Sequence, residues 1–394
     1  MVVFGLLVAA CTGEVVPSTT GGPRPTVTSP SVTTTVESDR LEVWVDDLRA
    51  AVLAPFVADF AKRAGVAVDV VAHPFDDIAT AVVAGGGPDV FVASHDRLPS
   101  LLAQGVVVPV DLGVVGPDLD PVAIRSVTSG GETYGIPYGL EAVSLYVNLD
   151  VAGGDVVPDT FASLRSLCAS FERCVGIPEG LYHQYGFLSS SGGYVFGPSP
   201  GGGWSVNDVG LGKAVEGAKA LGRLVAEGTV FTGPYGEVVD GFAAGEIPFL
   251  ITGPWQIRPF VDAGVDFAVR PLPTLEGRSL RPFVGVQAFF VSADAPPDLA
   301  ESFVREVLAR SEVLTGAALA DNRVPAYLPA RSSLDGHIGG FVESVDGGDL
   351  LPGVAEMATV WDPLDAALDA IFSGLDPASA LTSAEEAVVR ATAP

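Results

Sequence analysis

TYGIPYGLEAVSLYVNLD, residues 133–150, decides how this chain is organised. It reads as two extended runs with few helix formers, built from Tyr, Val, Ile and Leu. Such a stretch looks like a strand crossing between two lobes. Glu141 stands in its middle, in GLEAVSL, with apolar neighbours. A carboxylate buried there without partners is costly, so it implies either a salt bridge in a hinge or a ligand contact.

Upstream, apolar runs alternate with helical stretches. LEVWV, from Leu41, alternates as an exposed-edge strand or a first core strand does. APFVADFAKRAG is helical and stops at Gly65, VAVDVVAH is a second strand, IATAVVAGGG a second helix, and PDVFVAS a third strand. LPSLLAQG and VVVPVDL continue the pattern. This β-α-β-α-β order predicts parallel strands with crossover helices. Downstream come a helix over 159–170, a strand near 175–178, a Gly-rich aromatic loop over 189–204 and a helix over 211–227. FAAGEIPFLITGPWQIRPF, from Phe242, gives a helix end, a buried strand and a Pro-Trp turn, and DFAVRPLP another strand. RPFVGVQAFFVSADA is long enough to return to the first lobe, and helices follow over 297–319, 354–373 and 377–391. A chain that crosses between lobes more than once places its ligand in the cleft, outside the carboxyl ends of the strands.

The chain has 394 residues, 48% of them apolar, which is a globular composition with a core large enough to need no cross-links. Its formal net charge is −27, and Lys62, Lys213 and Lys219 are its only lysines. That argues against nucleic acid and against direct docking on an anionic membrane, both of which need clustered cations. It suits a soluble monomer. A high-salt habitat or compositional bias explains the acidity, which by itself names no ligand. A phosphate loop, a nucleophile elbow and an HExxH pair are all missing from the sequence.

VVFGLLVAA, residues 2–10, ends on Ala9 and Ala10 directly before Cys11 and looks like a lipobox, with cleavage before a lipidated Cys11. The run is too short to span a bilayer. No Lys or Arg precedes it, which predicts a start codon further upstream. Residues 12–39 are rich in Ser, Thr, Pro and Gly and read as a flexible tether. Cys168 and Cys174, in SLCASFERCVGI, could bridge across a helix end and turn, as suits an oxidising compartment. Two buried free thiols are the alternative. A zinc site there lacks further ligands nearby, so no metal and no other cofactor is expected.

GPDVFVASHDRLPSLLAQGVVVPVD, YGIPYGLEAVSLYVNLD, GFLSSSGGYVF with NDVGLGKAVEGAKALGRLV, GEIPFLITGPWQI, FAVRPLPTLEGRSLRPFVGVQAFFV and EMATVWDPLDAALDAIFSG follow one another from about Leu41 to Ala391. Each resembles a segment of the maltose- and maltodextrin-binding protein family, in the same order; singly they are weak matches, together a specific one. The resemblance implies an α/β, two-lobed periplasmic-binding-protein fold of type II with lobes joined by hinge segments. Beyond residues 1–11 (lipoprotein signal and lipidated Cys11) and 12–39 (tether), it divides the chain into 40–139 plus 286–325 (first lobe) and 140–285 plus 326–394 (second lobe). The function it implies is that of an extracytoplasmic sugar-binding lipoprotein. Such a protein is anchored to the outer face of the cell membrane, hands a maltodextrin-like oligosaccharide to the permease pair of an ABC importer, and is not an enzyme.

A sugar offers hydroxyls to planar charged groups and C–H faces to aromatic rings. Asp96 and Arg97 follow the strand PDVFVAS at its carboxyl end, and by resemblance they bind hydroxyls; a mutual surface salt bridge is the rival. Adjacent His95 reads as structural. Asp47 follows LEVWV and resembles an acidic contact, with Arg49 a weaker match and helix capping by Asp46 or Asp47 the rival. Glu141 matches a sugar-contacting carboxylate, and Glu179 matches only across a gap. Trp255, Trp361 and Tyr182 (in the loop GLYHQYG) match stacking positions, with core packing the common alternative for any Trp. Trp44 reads as core and Trp204 as hairpin or surface. There are departures. Ala93 stands where a Trp is expected, Asp362 and Asp365 where an aromatic and an Arg are, and His183, itself a candidate ligand contact, where a Phe is. The stacking surface is smaller, which leaves maltose, longer maltodextrins, cyclic glucans, trehalose and unrelated oligosaccharides open. Other readings are a glycoside hydrolase using Asp47, Asp96 or Glu141, a same-fold receptor for another solute, and a signalling co-receptor.

Overall fold

The computed structural model describes residues 40–200, 203–334 and 336–393. The expectations for Cys11 and for the tether over 12–39 lie outside the described residues.

Two sheets organise the chain. The first holds β1 (Arg40–Val45), β2 (Ala67–Ala72), β3 (Val90–Ser94) and β4 (Gly135–Glu141). The second holds β5 (Ser144–Asn148), β6 (Val175–Pro178), β7 (Val230–Gly233), β8 (Phe249–Thr252) and β9 (Phe267–Arg270). The chain then returns through β10 (Phe283–Val291), β11 (Val324–Pro325) and β12 (Asp349–Leu350). The first sheet runs β11-β4-β10-β3-β1-β2, with β12 beside the start of β10; the second runs β7-β6-β8-β5-β9. β1 is parallel to β2 and β3, so it is interior rather than an edge, and Leu41, Val43 and Val45 are fully buried. β10 and β4 are antiparallel, and so are β5 and β8.

The crossing predicted from residues 133–150 is β4 in one sheet followed by β5 in the other, linked by buried Ala142 and Val143. β10 is the second crossing. Phe283 at its start packs in one hydrophobic core, and Val286 to Val291 in the other. Its ladder with β4 shifts register between Gln287 and Ala288, at Pro137, which has no N–H to donate. A bulge re-aims side chains, and this one lies beside Glu141. The helix Gly336–Gly347 joins the halves. Its Phe341 and Val345 pack with Tyr146, Phe260 and Phe267 on one face of the second sheet, in the same core as the first sheet. The opposite face of the second sheet is covered by the helices Phe161–Leu167, Leu181–Ser189, Val215–Ala226, Trp361–Phe372 and Pro377–Ala391.

Three local readings need correction. The first helix spans Asp47–Ala64, starting seven residues before APFVADF. Asp46 caps it by accepting the Leu48 and Arg49 amides at 3.0 and 3.2 Å, and Pro55 is carried inside it. VVVPVDL forms no strand: Val107 makes a single bridge to Ser292, and Pro109 cannot donate to a longer ladder. GLYHQYG belongs to the helix Leu181–Ser189 and is not a loop.

A disulfide joins Cys168 to Cys174, whose Cα atoms are 5.3 Å apart. It ties the end of the helix Phe161–Leu167 to the start of β6. Closing so short a loop restrains the unfolded chain by about 2 kcal/mol. Reducing agent is therefore expected to lower the urea midpoint of the wild type, and to leave a Cys168→Ser/Cys174→Ser variant at that same lowered midpoint.

Candidate functional site

The parallel strands β1, β2 and β3 all end on one side of the first sheet; Asp46 and His73 directly follow the first two, and Asp96 is the second residue after the third. A cavity of about 1250 Å³ opens there between the sheets. Asp46 to Arg49, His73 to Asp76 and Ala320 to Arg323 line it from the first lobe, and Trp255, Arg258 and Pro259 from the second. Glu141 and Gln287, on the two crossing strands, form its floor.

The floor is a charged chain. Arg323 is 8% exposed; its Nε meets Glu141 Oε2 at 2.7 Å and its Nη1 meets Asp321 Oδ2 at 3.0 Å. Asp321 also pairs with Arg49, which pairs in turn with Asp46. The Arg49 guanidinium lies over the rings of Phe75 and Tyr138 at 4.9 and 5.1 Å. Burial works against its charge, but Tyr138, Asp321 and Asp46 outweigh it and hold its pKa above the ordinary value. The charge that made Glu141 costly is met by Arg323, with Gln287 Nε2 donating to Glu141 Oε1 at 3.3 Å. Gln287 Oε1 is buried without a protein hydrogen-bond partner, as are the hydroxyl of Tyr182 and the Nε2 of His183. Of these, Gln287 lines the cavity, where a hydroxyl-rich ligand can satisfy it.

An aromatic wall stands on the second lobe. The Tyr182 ring is 5.9 Å from Trp255 and 6.3 Å from Phe283, and Phe283 is 6.3 Å from Trp361. Trp255 and Trp361 are half-buried against the second core, so neither ring is lost in a lobe interior. Trp255 Nε1–H donates to Tyr235 Oη at 2.6 Å, and Gln256 Nε2 donates to the same oxygen. Gly253, whose carbonyl accepts from Tyr146 Oη at 2.8 Å, lies under the Trp255 ring; a Cβ there would collide with the indole. Burial raises the Tyr182 phenol well above its usual pKa; Glu141 adds to this, Arg323 opposes it, and Asp96 adds again.

His183, 5.6 Å from the Tyr235 ring, is pushed down to about 4 by burial and is neutral at pH 7. The sign follows from where the proton goes. As pH falls from 6.5 towards 4, the unfolded histidine takes up a proton that the folded one refuses. Stability is therefore lost over that window, by about 2 kcal/mol at pH 5. The melting point of a His183→Phe variant should fall less than the wild type's between pH 7 and 5.

The cavity wall gathers Asp47, Arg49, Glu141 and Trp255 from the residues singled out in the sequence. Tyr182 and His183 pack against Trp255 from behind, with ring centroids 5.9 and 6.2 Å away, while Asp96 and Trp361 lie outside the cavity lining. Arg97 is exposed and forms no ion pair with Asp96, which accepts from Ser94 Oγ instead. Glu179 is exposed beyond β6, its N–H bonded to Gly233 O at 2.9 Å, and lies outside the cavity lining. His95 is a structural cross-link: its Nδ1 accepts from Val286 N–H at 3.1 Å and its Nε2–H donates to Leu351 O at 2.9 Å. Trp44 is half-buried rather than core, tilted on His73 with ring centroids 4.4 Å apart. Asp321, Arg323, Gln287 and Tyr235 escaped the sequence reading, whereas Asp46 takes the capping role it offered. Gln287 had a signal, being the one polar residue of FVGVQAFFV. Asn322, with φ 56°, turns the chain after the helix Ser311–Ala320 and sets Arg323 at the floor. Among the described residues no group of three or more His, Cys, Asp or Glu could hold a metal ion, and no helix is long and apolar enough to cross a membrane.

Two α/β lobes joined by crossing strands, with a polar floor and an aromatic wall meeting in the gap, define a two-lobed binding protein of the periplasmic type. The profile of the bacterial extracellular solute-binding protein family matches residues 56–334, and the chain belongs to that family. It is 27% identical to the galactooligosaccharide-binding protein of Bacillus subtilis (strain 168) over 91% of this chain and 90% of that protein. It is also 27% identical to a maltooligosaccharide ABC transporter solute-binding lipoprotein of Streptococcus pneumoniae, over 92% and 90% of the two chains. A crystal structure of a cyclo/maltodextrin-binding protein complexed with maltotetraose matches its fold at a TM-score of 0.79 and 24% identity, over 89% of this chain and 97% of that one. The maltose-binding periplasmic protein MalE of Listeria monocytogenes, solved with maltose, matches at 0.77 and 26%, over the same shares.

Proposed function

We propose that this protein is an extracytoplasmic receptor that binds a maltodextrin-like oligosaccharide between its lobes and delivers it unchanged to an ABC importer. The observation that carries this reading is a single cavity whose floor is Glu141, Gln287 and Arg323 and whose second-lobe side carries the Trp255 ring, with Tyr182 packed 5.9 Å behind it. The names of the relatives support the oligosaccharide and the ABC context. Asp47 and Asp96 bind hydroxyls from the first lobe, which comprises residues 40–139 plus 286–325. The second lobe, residues 140–285 plus 326–394, supplies the rings. Sugar binding bridges them, the hinge segments near 140–142, 285–289 and 324–329 bend, and the permease pair reads the closed form. The receptor is a monomer held to the outer face of the membrane by a lipid on Cys11.

A thermal-shift screen over mono- and oligosaccharides tests this. A ligand that binds only the folded state, at a hundred times its dissociation constant, adds about 2.7 kcal/mol. At least one neutral oligosaccharide should therefore raise the melting point by several degrees and be recovered intact after long incubation. No shift with any sugar, or cleavage of the sugar that binds, would remove the reading.

A further inference from the structure

We propose that Asp365 is a positioning residue that holds the two ring-bearing helices of the aromatic wall in register. Its Oδ1 accepts the Leu181 N–H at 2.6 Å. Leu181 opens the helix Leu181–Ser189, which bears Tyr182 and His183 in its first turn. Asp365 itself lies in the helix Trp361–Phe372, four residues after Trp361 and therefore on the same helical face. One bond thus connects the segment that presents Tyr182 to the segment that presents Trp361. Phe283 sits between their rings, 6.3 Å from each.

The helix Leu181–Ser189 has no cap of its own. The residue before it is Gly180, with φ 102° and no side chain to accept the first free amides. Helix starts normally take that acceptor from a neighbouring Ser, Thr, Asp or Asn. Here it comes from another helix far along the chain. Within its own helix Asp365 stands among like charges. Asp362 and Asp369 stand three before and four after it, and like charges at those spacings destabilise a helix. Burial and those two carboxylates raise its pKa while the Leu181 amide lowers it. A carboxylate kept against such repulsion is there for its remote partner.

The first arm of the test rests on the proposed function and uses maltotetraose as the probe. Asp365→Ala should weaken its binding about tenfold. Asp365→Asn, which keeps a carbonyl acceptor, should stay within about twofold of the wild type. In the D365A background, Tyr182→Ala should cost less than it does alone, because the ring is already misplaced. The second arm needs no ligand: hydrogen exchange of the Leu181 and Tyr182 amides in the free protein should accelerate in D365A and remain slow in D365N. If D365A folds poorly, Asp365→Leu, of similar size and without an acceptor, carries the same comparison. Protected Leu181 and Tyr182 amides in D365A or D365L overturn the proposal, as does wild-type affinity in those variants at a merely lowered melting point. A wild type that ignores every sugar overturns the proposed function instead, and the exchange arm still decides for or against Asp365.

Discussion

Trp255→Ala is expected to weaken oligosaccharide binding by on the order of a hundredfold, in line with the loss of a central aromatic anchor. The indole is half-buried and held on two sides, by the hydrogen bond from its Nε1 to Tyr235 and by the turn at Gly253. It therefore meets a ligand already ordered, and little side-chain entropy is lost on binding. The C–H face of a sugar ring gains dispersion and desolvation on such a surface, and alanine offers neither. Folding should suffer less than binding, because the ring lies at the margin of its core. Calorimetric titration beside a denaturation curve reads both quantities. An affinity within threefold of the wild type would mean that the ligand does not lie on this ring.

The second large effect is on stability. Arg323→Met should lower the unfolding free energy by about 3–5 kcal/mol. The methionine fills much of the space, but it leaves Glu141 and Asp321 without their shared guanidinium. Both carboxylates are largely buried and cannot recover a full hydration shell. Arg49 still balances part of the Asp321 charge, so Glu141 is left the more exposed to the loss. A double variant, Arg323→Met with Glu141→Gln, should recover a substantial part of the loss, and urea denaturation of the three proteins measures it. If the single and double variants unfold alike, the Glu141–Arg323 pair is not what holds the floor.

These two residues also mark what the sequence could and could not reveal. The alternation of LEVWV, VAVDVVAH and PDVFVAS with helical stretches is local, and it gave the parallel half of the first sheet. The two extended runs around Glu141 gave the crossing between sheets, because period and length are written in neighbouring residues. Glu141 was suspect because a carboxylate among apolar residues has to be answered. What answers it was hidden: Arg323 follows a helix end and becomes a partner only when β11 pairs with β4. The helix Leu181–Ser189 was hidden for a similar reason, since its first amide is capped from another helix and Gly180 reads as a loop residue. Trp44 reads as core from its place inside a strand, yet it shares the face of Arg40 and Glu42, opposite buried Leu41, Val43 and Val45, and its indole turns to Glu42 and His73. Trp255 and Trp361 are nameable through the family resemblance, but Tyr235 is not. Its role depends on which way one indole N–H points.

The most direct measurement is a crystal structure grown with whichever neutral oligosaccharide raises the melting point most. Sugar hydroxyls should lie within hydrogen-bond distance of Glu141, with ring faces against Trp255 and Tyr182, and with the Asp96 side of the first lobe closing over them. Sugar bound elsewhere on the surface, or density in the cleft that touches the first lobe and none of these aromatic rings, would contradict the account.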